Sequence, residues 1–66
     1  MVDVYYYEIW FDGNCIECSA DNEYYYDTED EAFNEAFDAV FSWTDEEGYE
    51  DCNTEDFTVE VFQTKH

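Results

Sequence analysis

The sequence predicts an α+β fold, in which a small antiparallel sheet of three to four strands is covered on one face by one amphipathic helix, in the order ββ(β)αβ. Segments near both ends of the chain are rich in aromatic and β-branched residues, as strands are. A segment between them repeats apolar residues with the period of a helix. The 66 residues are expected to form one domain, residues 1–66, whose core is too small to enclose both a substrate and a cofactor.

The strands are predicted from turn signals and from alternation. The first strand covers residues 2–11, the Asp12-Gly13 turn follows it, and residues 14–20 return beside it as a hairpin. Whether residues 24–26 form a short third strand stays open, and residues 57–64 form the last strand. Successive side chains of a strand point to opposite faces, so each strand has a core face and an outer face. The core face is expected to carry Tyr5, Tyr7, Ile9, Phe11, Phe57, Val59 and Val61, and the outer face Val4, Tyr6, Glu8, Trp10, Thr58, Glu60 and Phe62.

The helix is predicted to begin after Thr28, which forms a capping box with Glu31, each side chain accepting a hydrogen bond from the backbone N–H of the other residue. It is expected to end near residues 44–47, where Gly48 is available as a C-cap. Trp43 falls on the apolar arc and is expected to be buried. The apolar stripe that is expected to face the sheet comprises Ala32, Phe33, Ala36, Phe37, Val40 and Phe41.

The net charge restricts the function more than any motif does. Twenty Asp and Glu stand against one Lys, which gives a formal charge of −19. Crowded like charges repel each other and destabilise a compact chain, so we expect this charge to serve a function. It predicts a basic protein partner and no direct binding of nucleic acid. Adaptation to high salt is the alternative, although that pressure does not require an aromatic content of 23%.

The acidic side chains of the helix are spaced in a way that imitates a phosphate backbone. Four of them fall on the face opposite the apolar stripe, with neighbours about 5–10 Å apart along the axis. Lys and Arg of DNA-binding proteins contact phosphates, and a rigid row of carboxylates satisfies the same groups. The solvated face of an ordinary amphipathic helix is the alternative. The predicted acidic binding surface comprises Glu31, Glu35, Asp38, Asp45, Glu46, Glu47, Glu50 and Asp51, the first four on the helix face.

The outer face of the sheet supplies a second predicted binding surface. Its aromatic rings lie beside carboxylates, and such rings can stack on an Arg side chain that pairs with the carboxylates. Clustered exposed aromatics mark interfaces in general, so a homodimer formed sheet to sheet is an equal alternative. This predicted surface comprises Tyr6, Glu8, Trp10, Glu17, Glu60 and Phe62.

In size, extreme acidity, lack of basic residues and sheet-plus-helix plan, the chain resembles the phage-encoded DNA-mimic inhibitors. That group includes anti-restriction proteins, a uracil-DNA glycosylase inhibitor and small anti-CRISPR proteins. The chain is most similar in length to the anti-CRISPR proteins that keep a Cascade-type complex from binding target DNA. The resemblance implies a basic nucleic-acid-binding partner, such as the Lys- and Arg-lined DNA groove of a Cascade effector subunit. An anti-restriction protein or an inhibitor of DNA repair is the alternative within the group.

The cysteines favour a reduced, cytoplasmic protein. Three Cys cannot form a complete set of disulfides, and the N-terminus lacks the basic region of a signal peptide. No apolar stretch approaches the length of a membrane span. On a regular strand Cys15 and Cys18 point to opposite faces, so structural cysteines are favoured over a metal site. The zinc site that stays open as an alternative would use Cys15, Cys18, Cys52 and His66.

No catalytic function is predicted. The single His is the last residue of the sequence, and no candidate pocket lies between the many carboxylate pairs. The acidic segment of residues 45–56 does not match the ligand spacing of an EF-hand. The chain is therefore expected to use no cofactor and no metal, and to act through contact with a protein. The alternative outside the inhibitor class is an acidic structural or dimerising protein whose stability depends on salt or metal.

Overall fold

The computed structural model describes residues 1–46, 49 and 52–66. Three antiparallel strands form one sheet in the order β2-β1-β3, and one helix packs on one face of it. This is the α+β architecture that the sequence predicts. Two short 3₁₀ turns, Ser19–Asn22 and Thr54–Asp56, precede the helix and the last strand. The regular elements are β1 (Asp3–Phe11), β2 (Asn14–Cys18), α1 (Glu29–Thr44) and β3 (Phe57–Lys65).

The hairpin between β1 and β2 turns at Asp12 and Gly13, as predicted. Both residues have positive φ, 52° and 79°, as the turns that join two tightly paired strands require. β1 therefore lies in the centre of the sheet, because β3 pairs along its other side with an unbroken antiparallel register.

The core lies between the sheet and α1. Tyr7, Ile9 and Phe57 of the strands cluster with Ala36 and Val40 of the helix, and Ile9 is fully buried. The side chains of Phe11, Val59 and Val61 pack against this cluster, which confirms the predicted core faces of β1 and β3 at these positions.

The first residues of β1 depart from the predicted alternation. Val4, which was expected on the outer face, is buried, whereas Tyr5 is half-buried and lies outside the core cluster. Two ring pairs, Tyr6 with Phe62 and Tyr25 with His66, pack at this end of the sheet. Aromatic side chains thus shield part of the outer face from solvent, and alternation alone does not decide burial there.

The helix begins as predicted at Thr28, whose Oγ1 accepts a hydrogen bond from the Glu31 N–H at 3.1 Å. The reciprocal bond differs, because the Glu31 carboxylate accepts from the N–H of Asp27, at 3.3 Å, and not from Thr28. The last helical residue is Thr44, inside the predicted range. Gly48, the predicted C-cap, lies outside the described residues.

The predicted apolar stripe of the helix is too wide. Ala32, Ala36 and Val40 are buried against the sheet, whereas Phe37 and Phe41 are 50% and 59% exposed. Small residues let the helix approach the strands closely, and the sheet beneath it is only three strands wide. The larger side chains at the border of the stripe consequently remain in solvent.

Residues 24–26, for which the sequence leaves a short strand open, do not form one. Only Tyr26 pairs with β1, through two 2.8 Å backbone hydrogen bonds with Tyr5. Ser19, the one buried polar side chain in the described part of the chain, accepts the N–H of Tyr7 at 3.0 Å just beyond the end of β2. The β1 backbone is therefore hydrogen-bonded along this side by β2, Ser19 and Tyr26 in turn.

Nowhere among the described residues is there a helix of the length and apolarity that a bilayer crossing requires.

Candidate functional site

A β-bulge in β2 decides which side chains reach the outer face of the sheet. Ile9 pairs with Glu17 and Trp10 with Cys15, so Ile16 is an extra residue on β2. A bulge lets two successive side chains point to the same face. Ile16 packs against the core, and Glu17 faces α1 beside it. The register of β2 is thereby shifted by one residue on the far side of the bulge.

Glu17 is a correction to the predicted outer-face surface. Its carboxylate accepts a 2.6 Å hydrogen bond from the Tyr7 hydroxyl and a 2.9 Å hydrogen bond from the Trp43 indole N–H. Both donors lie on the core side of the sheet, so Glu17 joins β1, β2 and α1 instead of facing a partner. Trp43, predicted to be buried, is half-buried and turns its polar edge to this carboxylate.

The electrostatics around Glu17 differ from those of an exposed carboxylate. Burial raises the pKa of Tyr7 far above its ordinary value, and the hydrogen bond to Glu17 and the Glu17 charge raise it further. Burial raises the pKa of Tyr26 as well, and the charge of Glu35 adds to the effect. The Tyr7 phenol stays protonated and donates to Glu17, which suits a structural role for this carboxylate.

The outer sheet face keeps five of its six predicted members: Tyr6, Glu8, Trp10, Glu60 and Phe62. Tyr6 and Phe62 stack with ring centroids 5.3 Å apart, and Phe62 is 37% exposed. The Trp10 indole donates a 3.1 Å hydrogen bond to the Glu8 carboxylate and is half-buried. Burial, followed by the charge of Glu8, raises the pKa of Tyr6.

Glu8 and Glu60 lie directly opposite each other on β1 and β3. Like charges at opposed positions of a sheet destabilise it, so this pair carries a cost in folding free energy. A guanidinium placed between the two carboxylates would remove the repulsion and could stack on the neighbouring ring of Trp10. This arrangement is chemically suited to an Arg side chain of a partner.

The helix acid row, Glu31, Glu35, Asp38 and Asp45, is exposed along one side of α1, as predicted. Glu46 continues it and is also exposed. Glu47, Glu50 and Asp51, the remaining members of the predicted acidic surface, lie outside the described residues. The sheet separates this row from the outer sheet face, so the two predicted surfaces do not form one site but lie on opposite sides of the molecule.

The bulge also corrects the expectation for the cysteines. Cys15 pairs with Trp10 and Cys18 with Glu8, so both lie on the outer face and not on opposite faces. Partial burial raises the pKa of the Cys15 thiol, and the nearby Glu8 charge raises it further. Within residues 1–46, 49 and 52–66, no group of three or more His, Cys, Asp or Glu side chains is arranged to hold a metal ion.

The sequence pattern missed two groups of aromatic side chains. Tyr49, assigned to an acidic loop, packs its ring against Phe11, Trp43 and Phe57, with centroids 5.2, 5.4 and 6.1 Å away. The ring of Tyr25 packs against that of His66 in a tilted arrangement, with centroids 4.3 Å apart. Tyr49 stands in an acidic segment without periodicity, and the run of three tyrosines that contains Tyr25 does not alternate, so no local signal identifies either residue as packed.

Comparison of the chain with protein-family models, with curated proteins and with solved structures finds no significant match.

Proposed function

We propose that the protein is a DNA-mimic inhibitor, which occupies the basic DNA-binding surface of a nucleic-acid-binding protein and so prevents that protein from binding DNA. The observation that supports this best is the way in which carboxylates cover the whole body. Of the seventeen acidic residues in the described part of the chain, fifteen are exposed, and Glu8 and Glu17 are half-buried. The single Lys of the sequence, Lys65, pairs with Asp3 at 3.3 Å, so the surface offers almost no compensating positive charge.

The density of charge supports the proposal. Seventeen acidic residues along a body 41 Å long amount to about one per 2.4 Å, against about one negative charge per 1.7 Å of duplex DNA. The length of 41 Å is slightly more than one turn of B-DNA, about 34–36 Å. Acidic groups lie on both faces of the sheet-and-helix body, just as phosphates surround a duplex. Both walls of a groove lined with Lys and Arg would therefore face carboxylates of this protein.

The partner of this proposal is a Lys- and Arg-lined groove, and the resemblance to anti-CRISPR proteins directs the first test to a Cascade-type effector. In a competition assay, a labelled target duplex is bound to the purified effector, and the protein is added at increasing NaCl concentrations. We expect it to displace the duplex, with an affinity that falls steeply as salt is added. If the effector keeps the duplex at low salt in the presence of excess protein, this target is wrong. If restriction and repair enzymes also keep their DNA, the proposal itself is wrong.

A pair of triple variants tests the helix acid row. E31Q/E35Q/D38N removes three exposed charges from one side of α1, and we expect it to weaken inhibition at least about tenfold. The matched control D12N/D21N/E23Q removes the same charge from exposed positions at the two turns around β2. Equal loss in both variants would indicate that only the total charge matters. No loss in either variant would contradict phosphate mimicry by these side chains.

A further inference from the structure

The outer edge of β3 is unpaired. β3 pairs with β1 along one side only, and within residues 1–46, 49 and 52–66 the one backbone bond on its other side is that of the Phe57 N–H to the Thr54 carbonyl, at the start of the strand. Val2 and His66 exchange two 3.0 Å backbone hydrogen bonds at the end of the ladder. Since hydrogen-bonded pairs alternate in an antiparallel ladder, the odd-numbered residues of β3 direct their N–H and C=O groups away from β1. The residues that present both groups at the free edge are Val59, Val61, Gln63 and Lys65.

This edge lacks the usual protection against pairing with another chain. Edge strands are normally short, bulged, interrupted by Pro or rich in charge. β3 is nine residues long, contains no Pro and keeps a regular register with β1 throughout. It carries one acidic residue, Glu60, and one basic residue, Lys65, so its formal charge is zero in a chain of charge −19. The free edge is thus the segment of the sheet that repels a second copy of the chain least.

The phenylalanines of the helix, of which Phe37 and Phe41 are exposed and Phe33 is half-buried, lie on the same side of the molecule as this edge. Phe41 and Thr44 line a concavity with residues 52–55, which lead into β3. The opposite side of α1, including Trp43, lines a concavity with Glu17 of β2. Phe33, Phe37 and Phe41 follow each other at one-turn intervals, and the rings of the first two stack 6.3 Å apart. We call these three residues the phenylalanine stripe.

We propose that a second copy of this chain binds here, with the two β3 edges paired antiparallel about a two-fold axis and the two phenylalanine stripes in contact. The result is a continuous six-stranded sheet with both helices on one face. α1 packs over β1 and β3 together. With strands about 4.8 Å apart, its axis lies roughly 5 Å from the two-fold axis, and the two helices lie roughly 10 Å apart. Packed helices have interaxial distances of about 8–10 Å, so pairing the edges also brings the stripes into packing distance.

Charge favours a second copy over a basic partner at this surface. The helix acid row and the Glu17 side of the molecule lie away from the two-fold axis, where they stay exposed in the dimer. A basic partner would be attracted to those acidic surfaces. The stripe and the edge, with Glu55 as the charged residue of the concavity beside Phe41, offer mainly apolar contact and backbone hydrogen bonds that are complementary to themselves. Repulsion between two chains of charge −19 remains, and salt screens it. Dimerisation should therefore strengthen with added NaCl, which is opposite to the salt dependence of binding to a basic target.

Sedimentation equilibrium of the full chain, at low and at high NaCl, tests this proposal without any target. We expect a species of twice the 8.0 kDa chain mass, with a dissociation constant that falls as salt is added. F37S/F41S should raise the dissociation constant at least about tenfold, since both rings are exposed in the single chain and buried in the dimer. The control E31S/E35S alters the other side of the helix and should leave the dimer intact or strengthen it.

A second pair of variants tests the strand edge separately. Gln63 is exposed and its N–H points to the free edge, so Gln63→Pro removes one intermolecular donor and no bond to β1, whereas Gln63→Ala keeps the donor. We expect only the Pro variant to weaken the dimer, with unchanged circular dichroism at low concentration. A monomer mass at the highest concentration and salt would overturn the proposal. A dimer that survives both F37S/F41S and Gln63→Pro would place the interface elsewhere. If the phenylalanine stripe binds a basic target but not a second copy of the chain, the proposal is also wrong.

Discussion

The two edges of the sheet differ in length, in regularity and in the hydrogen bonds that the rest of the chain makes beside them. The β2 edge is short, five residues against nine for β3, it contains a bulge, and it ends in a 3₁₀ turn. Beyond β2, Ser19 and Tyr26 continue the hydrogen bonding of β1 on that side. Glu17 then ties the β2 edge to the helix through the hydrogen bond from Trp43, and to β1 through the hydrogen bond from Tyr7. The β3 edge is long and regular, and within the described residues it has no such covering.

The helix shows the same contrast on its two sides. Its β2 side carries Trp43 and the helix acid row, and there the Trp43 indole N–H donates to Glu17 of the same chain. Its β3 side carries the phenylalanine stripe, in which Phe37 and Phe41 are largely exposed. One side of this small domain is therefore stabilised within the chain, whereas the other is suited to contact with another chain.

The strongest test of the contrast compares the core with the phenylalanine stripe. Ile9→Ala should destabilise the protein by about 2–5 kcal/mol, because it leaves a cavity under the helix at a fully buried position. Phe41→Ala, at a position 59% exposed, should change the free energy of unfolding of the single chain by no more than about 0.5 kcal/mol. Urea unfolding at low protein concentration and low salt measures both. A large loss from Phe41→Ala under these conditions would mean that the stripe stabilises the single chain.

A smaller effect is expected from the two glutamates that lie on opposite faces of the sheet. Glu17→Ala removes the acceptor of the Tyr7 hydroxyl and of the Trp43 indole, and we expect a loss of about 1–3 kcal/mol. Glu60→Ala should be neutral or slightly stabilising, because it removes a like charge opposite Glu8. The same urea experiment compares the two variants. A Glu60→Ala variant that is less stable than Glu17→Ala would reverse the roles assigned to these carboxylates.

Alkaline pH tests the β2 side alone and should have the most gradual effect. Burial and Glu17 raise the pKa of Tyr7, whereas in the unfolded chain a phenol ionises near its ordinary pKa of about 10. The unfolded state therefore loses protons that the native state keeps. The stabilising contribution is complete below pH 10, and it is lost as pH rises toward the native pKa, by about 1.4 kcal/mol per pH unit for one phenol.

The control for this titration is Tyr7→Phe, which lacks the ionisable group. Above pH 10 its free energy of unfolding should fall less steeply with pH than that of the wild type. The difference in slope should be about 1.4 kcal/mol per pH unit, the contribution of one proton. Near-ultraviolet absorbance of the phenolates should show one fewer ionisation-resistant phenol in native Tyr7→Phe than in the native wild type. Identical slopes for the two proteins would show that Tyr7 ionises in the folded state.

Local patterns predicted the parts of this fold that depend on neighbours in the chain. The Thr28 cap, the Asp12-Gly13 turn and the core faces of Ile9 and Val59 are all confirmed, because each depends on an interaction within a few residues or on the two-residue period of a strand. Five of the six residues predicted for the outer sheet face are also placed there. The sixth, Glu17, was wrong, because a single bulged residue changes the face of every side chain beyond it.

The sequence by itself determined the composition of the surface and the order of the elements: a charge of −19 on 66 residues leaves the surface no alternative to being acidic. Only the tertiary structure decided how the apolar residues divide between core and surface. The helical period marks Phe37 and Phe41 together with Val40 as apolar, yet the three-stranded sheet covers only the arc of Val40. Burial depends on the width of the element that packs opposite, and the periodicity of one segment does not contain that width.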